Sequence, residues 1–449
     1  MADHAVSQDP AVQEQLDRLM ALSPGRDVLG LERITELLTR LGNPQHAMPP
    51  VFHVAGTNGK GSTCAYLRAA LEADGRVVHV FTSPHLARFN ERIRLAGTLI
   101  DDATLARALS DVLDIGADLR ASFFEITTAA AFKLFAATPA DACVIEVGLG
   151  GRLDATNVFT APAACGIASL AIDHEGFLLA PEPGTPDDPL SRIAFEKAGI
   201  ARSGRPLVTQ RYSAPMMATI AQVAERVGAV HLPRGEAWDI ADYQGELRYR
   251  DSAGRLNLPL SRLAGQHQVS NLGLAIAMLR HQTMLPVSEA ALRAAPLWTQ
   301  WSARMQRLDA GPLTNLVPGR AVILDGGHNP DAGKALAQAL TESGLAPGGL
   351  DLITGMLANK DIEGFLTPLR PLIRSIRSLP VPGHEHHGPE VFAALARRWD
   401  LPHAGFSTLQ DALADIAATA NGHADRAVLI AGTLYLAGQV LIENGQPPV

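Results

Sequence analysis

Residues Val51–Thr63 read VFHVAGTNGKGST, and this stretch constrains the fold more than any other. A short apolar run (Val51, Phe52, Val54) meets a glycine-rich turn, Gly56-Thr57-Asn58-Gly59-Lys60-Gly61-Ser62, and a helical pattern follows from Cys64 to Leu71. Strand, glycine turn and helix in that order belong to α/β folds built on a parallel sheet. Glycines let backbone N–H groups turn inward, and the helix N-terminus adds partial positive charge, so the segment suits a phosphate group. Lys60 supplies a full charge, and Ser62 or Thr63 is placed to face a magnesium ion. The strict P-loop spacing is not met: Val54 stands where its first glycine belongs, and Gly61 separates Lys60 from Ser62. On these residues alone an ordinary glycine-rich strand-to-helix turn remains the alternative.

The chain has 449 residues, too many for one ordinary core, so two domains are expected. A net charge of −8 argues against a general binder of nucleic acid or of an anionic membrane. An anionic substrate must then be held by local positive groups. Three cysteines, Cys64, Cys143 and Cys165, form an odd and sparse set without metal-site spacing. They fit buried thiols in a reducing cytoplasm. The N-terminal MADHAVSQDP is polar and acidic, unlike a secretory or transit segment. The longest apolar stretch, Ala427 to Ile442, is broken by Gly432, Gly438 and Gln439. It reads as a buried strand plus a helix rather than a membrane span.

Strand-like runs are expected at Val51–Ala55, Val77–Phe81, Ala142–Val147, Cys165–Ile172 and Pro206–Thr209. Amphipathic segments such as Leu105–Ile115 and Thr127–Ala137 lie between them, the pattern of a parallel sheet covered by helices on both faces. A tract rich in Trp, Arg and Gln (Trp298–Arg307) interrupts the rhythm. The alternation then restarts with Ala321–Leu324, a helix from about Ala332, Asp351–Thr354, a helix near Ile362–Leu369, and Ala427–Ile430. A boundary near residue 300 follows, dividing the chain into 1–300 and a smaller α/β domain, 301–449. Residues 180–189, APEPGTPDDP, read as a surface loop.

Polar clusters sit just after the apolar strands, where α/β proteins place ligands. Thr82-Ser83-Pro84-His85 follows one, Glu146 ends another ahead of Gly148-Leu149-Gly150-Gly151, and Asp173-His174 follows a third. Taken singly, a serine before proline is usually a turn and a strand-end carboxylate often a helix cap. Taken together, beside a phosphate loop, hydroxyl, carboxylate and imidazole read as ligands of Mg²⁺ or of its waters, imidazole being the unusual choice.

The segments VAGTNGKGST (Val54–Thr63), TSPHLARFNERIR (Thr82–Arg94), FFEITTAAAF (Phe123–Phe132) and VIEVGLGGRLDATN (Val144–Asn157) stand in one order along the chain. EKAGI (Glu196–Ile200), GQHQVSN (Gly265–Asn271), ARMQ (Ala303–Gln306), DGGHNPDA (Asp325–Ala332) and GMLANKD (Gly355–Asp361) continue it. In these the chain resembles the folylpolyglutamate synthase family of the Mur ligase superfamily, in particular its bacterial bifunctional branch. The resemblance implies a P-loop-containing parallel-sheet ATPase domain followed by a smaller Rossmann-like α/β domain. It implies addition of L-glutamate to dihydropteroate or a reduced folate, driven by ATP through an acyl phosphate.

The resemblance also implies roles for residues. Thr57, Asn58, Gly59, Lys60, Gly61 and Ser62 would hold the nucleotide, with Lys60 at its β- and γ-phosphates. Asn271 would lie near the adenine, and Ser83, Glu146 and His174 would bind magnesium. Lys197 would be carried as a carbamate. Arg304, Asp325 and His328 would be the second domain's nucleotide contacts, making Lys60, Lys197 and His328 the catalytic set. Phe124, Asp154 and Ala155 would hold the pterin, Phe124 through a stacking face and Asp154 as a hydrogen-bond acceptor. A monomer acting on small molecules is expected, with no nucleic acid or membrane partner. The stretch Asp173–Lys197 is longer than the family's usual spacing, and Leu272 replaces the usual alanine after Asn271. Other readings are a Mur-type amino-acid ligase on a different carboxylate, and a non-ligase P-loop ATPase. The first needs an additional N-terminal domain, for which about 50 residues before the loop are too few. The second needs only the first domain.

Overall fold

The computed structural model describes residues 5–22, 29–173, 175–419 and 425–448. It divides into two compact units, with the main boundary between Gln300 and Trp301. Two short segments, His85–Ala87 and Leu263–His267, belong to the second unit.

The first unit is built on eight strands: β1 (Val51–Ala55), β2 (Val78–Phe81), β3 (Ile93–Leu95), β4 (Thr98–Leu99), β5 (Ala142–Glu146), β6 (Ala164–Ile167), β7 (Pro206–Thr209) and β8 (Val230–Pro233). Their order is β4-β3-β2-β5-β1-β6-β7-β8. From β2 to β8 all neighbours are parallel. The edge strands β3 and β4 run antiparallel, so the sheet is mixed rather than wholly parallel. β1 is buried along its whole length, as its apolar run requires of a central strand. Val54 lies opposite Glu146 on one side and Gly166 on the other, and Phe81 lies opposite Ile145. The turns after β2, β5, β1 and β6 therefore leave along one edge of the sheet. On one face Phe81, Phe132 and Phe135 join a core with Leu16 and Leu37; on the other Ala55, Ile167 and Leu207 pack with Ala194 and Ile220. Cys64, Cys143 and Cys165 are free and buried.

Several boundaries differ from expectation. β6 ends at Ile167, because Ala168 to Ala171 form a loop whose Ser169 carbonyl accepts from Thr57 N at 2.7 Å. The helix expected from Thr127 starts at Phe123, where Ser122 and Glu125 close a capping box. A three-stranded antiparallel sheet of β9 (Trp238–Tyr243), β10 (Glu246–Asp251) and β11 (Gly254–Leu258) was not anticipated.

The second unit's sheet holds β12 (Gln306–Arg307), β13 (Val322–Leu324), β14 (Leu350–Thr354), β15 (Ile373–Ser378), β16 (His403–Gly405) and β17 (Ala427–Ala431), in the order β12-β13-β17-β14-β15-β16. Only β12 is antiparallel. The helix after β13 spans Pro330–Ser343, and Ala427 to Ile442 resolves into β17 followed by the helix Leu434–Glu443. No helix among the described residues is long and apolar enough to cross a membrane.

Candidate active site

The turn after β1 is shaped by two glycines. Gly56 has φ 152° and Gly59 φ 82°, conformations that side chains disfavour. Thr57 ties the turn to the loop after β6: its N–H donates to Ser169 O, and its hydroxyl donates to Ala171 O at 2.9 Å. The helix Lys60–Ala73 starts directly at Lys60 with no side-chain cap bond. Gly61 and Ser62 are buried in its first turn, and Thr63 donates its hydroxyl back to Gly59 O at 2.9 Å. An uncapped N-terminus is the feature an anion uses. Asn271 packs on Gly59, where an added Cβ would lie 2.4 Å from its Oδ1, and donates to Gln268 Oε1.

Lys60 Nζ donates to Gly56 O at 3.1 Å and Thr57 O at 3.3 Å, and lies 4.0 Å from Glu146 Oε1. The other oxygen of the buried Glu146 accepts from Ser83 N at 3.2 Å. The register of β2, β5 and β1 thus brings together three residues separated by up to 86 positions (146 minus 60). A carboxylate beside a serine offers oxygen donors only, which fits a hard cation such as Mg²⁺ held by one or two carboxylates and substrate phosphates. His174 lies outside the described residues. Among the described residues no group of three or more His, Cys, Asp or Glu converges on a metal-sized space.

Lys197 is buried, and burial followed by the charge of Lys60 pushes its amine down to about 7, against the opposing pull of Asp173, Asp154 and Glu196. The long segment before it forms a short helix, Glu175–Leu178, an exposed or half-exposed loop through residues 180–189, and the helix Pro189–Ala198 capped by Asp188. Glu182 of that loop is clamped by Arg152 and Arg192, which also hold the buried Glu196. The added length is thus accommodated at the surface, and Lys197 keeps a buried place. Gly151 packs on the same helix, its missing Cβ leaving room for Glu196 O and Lys197 Cα.

Phe124 lies across Gly148, where an added Cβ would meet its ring at 2.4 Å. Asp154 is buried; Leu149 N and Thr156 N donate to it at 2.8 and 3.0 Å. Burial raises its proton affinity. Ala155 belongs to the apolar core.

In the second unit Asp325 directly follows β13. Its two oxygens accept from Gly327 N and Met305 N, both at 2.8 Å. Arg304 is carried on a turn whose neighbours, Ala303 and Met305, both have left-handed φ, 55° and 48°. Each such residue costs about 1 kcal/mol, so the Asp325 bond to Met305 N holds a strained turn in place. Arg304 Nη1 donates to Ala303 O at 2.8 Å and stands over Gly326. His328 Nδ1 donates to Gly326 O at 3.0 Å, which fixes that tautomer. His267, absent from the sequence-based candidates, is half-buried here and feels Asp325 and Arg304; desolvation lowers its basicity. Its position inside GQHQVSN was the available signal.

No family model matches the chain. It is 34% identical over 427 residues to the dihydrofolate synthase/folylpolyglutamate synthase of Escherichia coli (strain K12), covering 92% of this chain and 90% of that one. Escherichia coli FolC solved in complex with DHPP and ADP superposes with a TM-score of 0.84 at 32% identity over 97% of each chain. A bifunctional folylpolyglutamate synthase/dihydrofolate synthase solved with Mn, AMPPNP and L-glutamate bound gives 0.81 at 29% identity, over 97% of this chain and 99% of that one. The fold, the glycine turn and these relatives define an ATP-dependent ligase of the Mur-like α/β type. Within that class, the chain belongs to the dihydrofolate synthase/folylpolyglutamate synthase family.

Proposed function

We propose that the chain joins L-glutamate to dihydropteroate, making dihydrofolate, and to reduced folates, making polyglutamates. The observation that carries this reading is the meeting of Lys60, Glu146 and Ser83 at one sheet edge in a member of this family. A carboxylate is a poor acyl donor. Its attack on the γ-phosphate forms an acyl phosphate and releases ADP; the glutamate amine then attacks the acyl carbon and expels phosphate. Anionic charge crowds at the γ-phosphate, so offsetting it is the main catalytic task.

Lys60 is the cation for the β- and γ-phosphates, next to backbone N–H groups of Asn58 to Ser62. Ser83 and Glu146, with His174, are the residues we assign to Mg²⁺, which when bound screens phosphate charge. Lys197 is assigned as the carbamate. Its neutral amine adds to CO₂, forming an N–C bond and losing one proton, so that the buried side chain becomes an anion. The lowered basicity of Lys197 supports this, since only the neutral amine reacts. Phe124, Asp154 and Ala155 are assigned to the pterin, and Asn271 to the adenine side. Arg304, Asp325 and His328 are assigned to the nucleotide, and residues 301–449 to the glutamate as well. A cytoplasmic monomer is the setting we infer, in keeping with three free, buried cysteines.

The test is phosphate release from Mg-ATP with L-glutamate, comparing dihydropteroate and tetrahydrofolate as acceptors. Turnover with both is expected. Turnover with tetrahydrofolate alone would remove the dihydrofolate step and the pterin assignment. ATP hydrolysis independent of acceptor and glutamate would replace the ligase with a simple ATPase.

A further inference from the structure

His53 lies in the middle of β1 and is 1% exposed, and neither the nucleotide nor the metal assignment uses it. Its Nε2 is 2.9 Å from Thr156 Oγ1. Thr156 Oγ1 is in turn 2.5 Å from Asp154 Oδ1, which also receives Thr156 N. The second oxygen of Asp154 receives Leu149 N, next to the Gly148 over which Phe124 lies. A threonine hydroxyl has one proton. Given to a carboxylate, it leaves the Thr156 oxygen to accept from His53, so His53 carries its proton on Nε2. The ring is neutral: burial, with the charge of Arg202, pushes it down to about 3. Phe159 stands edge-on to it at 5.6 Å and fixes its plane. Donors therefore run one way, from His53 to Thr156 to Asp154.

We propose that His53 and Thr156 are positioning residues of the acceptor site, holding Asp154 as an obligate hydrogen-bond acceptor beside the Phe124 ring. The ligand they favour is a flat heteroaromatic that stacks and presents N–H donors at its edge. This rests on the assignment of Phe124 and Asp154 to the pterin. Burial works against an ionised Asp154 and raises its proton affinity on balance; the bonds from Leu149 N and from Thr156 oppose that and offset it in part. Without the His53 donor, the Thr156 hydroxyl is free to rotate away, and Asp154 loses its fixed orientation.

The experiment measures KM for dihydropteroate, ATP and L-glutamate, with kcat and melting temperature, in Thr156→Val, Thr156→Ser, His53→Leu and His53→Gln. Thr156→Val should raise KM for dihydropteroate about tenfold, while the other two KM values stay within about twofold. Thr156→Ser, which keeps the hydroxyl, should restore it. His53→Leu should give the same selective loss at about fivefold, and His53→Gln, with an amide N–H near the Nε2 position, should keep KM within about threefold. A merely structural role would lower melting temperature and active fraction, hence apparent kcat, without a selective KM change, and would overturn the proposal. So would equal rises in all three KM values, which would make the pair a support of β1 alone. Wild type that neither binds nor turns over dihydropteroate would overturn the pterin assignment and the relay together, whereas an active wild type with unchanged Thr156→Val would overturn the relay alone.

Discussion

Each unit carries a strand, a glycine-bearing turn and a helix in succession, yet the two turns are finished in opposite ways. In the first unit the helix Lys60–Ala73 starts without a side-chain cap, and two left-handed glycines open the turn. In the second unit the helix Pro330–Ser343 is capped by Asn329, whose side chain accepts from Ala332 N at 2.9 Å. Asp325 takes the N–H of Gly327 as well. One helix start carries no side-chain cap bond, which suits an anion; the other satisfies N–H groups with its own acceptors, and side chains, Arg304 and His328, stand beside it instead. A glycine turn between strand and helix is therefore not by itself a phosphate site. What matters is whether the N–H groups remain unclaimed.

The largest expected effect is at Lys60. Lys60→Ala should lower kcat/KM for ATP by on the order of a thousandfold, since it removes the one cation carried by the open turn. Phosphate release and circular dichroism check it together. A variant that unfolds would mean that the bonds from Lys60 to Gly56 O and Thr57 O are what the lysine is for. Next are the glycines. Gly59→Ala combines a φ of 82° with a Cβ placed 2.4 Å from Asn271 Oδ1, and should weaken ATP binding about a hundredfold. Gly327→Ala meets the Asp325 carboxylate at 2.9 Å, Ala332 at 3.2 Å and the Phe365 ring at 3.4 Å, without a left-handed φ. It should change ATP binding by no more than about threefold. Equal losses in calorimetric titration would erase the contrast between the two turns.

The open turn was legible in the sequence because glycine, lysine and an apolar run are local signals. The capped one was only partly so. Asn329-Pro330 announces a helix start, but the left-handed Ala303 and Met305 carry no glycine to mark them. Their conformation is imposed by Asp325, 20 positions from Met305. β6 was overextended because Ala168, Leu170, Ala171 and Ile172 are apolar, and hydropathy does not separate a strand from a loop pinned by hydrogen bonds to Thr57. The small sheet β9–β11 was missed although Gly245 and Gly254 mark its two hairpins; its outer face is polar, and alternation is a weaker signal than a continuous apolar run. The relay from His53 spans 103 positions, a separation at which only the sheet register makes neighbours.

Lys197 supplies a pH test of the first unit. Its amine is held near 7 mainly by burial, so the neutral form grows as pH rises through 7. Carbamate content, read by ¹³C NMR after exposure to ¹³CO₂, should therefore fall below pH 7 and approach its maximum about one unit above it. Activity should fall with it by about tenfold between pH 8 and pH 6. Lys197→Arg, always charged, should show neither the signal nor the pH step. A carbamate signal on the chain that persists in Lys197→Arg would assign the modification elsewhere.

The smallest effect expected is at the second turn. Asn329→Ala removes the side-chain acceptor from Ala332 N and should cost about 1 kcal/mol of stability, read as a lowered denaturation midpoint. It opens one N–H of the helix Pro330–Ser343, yet Asp325 still occupies Gly327 N and keeps a carboxylate at the mouth of the turn. Inorganic phosphate should therefore stabilise Asn329→Ala no more than it stabilises the wild type. If phosphate instead raised the midpoint of the variant alone, the cap would be the whole difference between the two turns, and the glycines of the first would matter only for their shape.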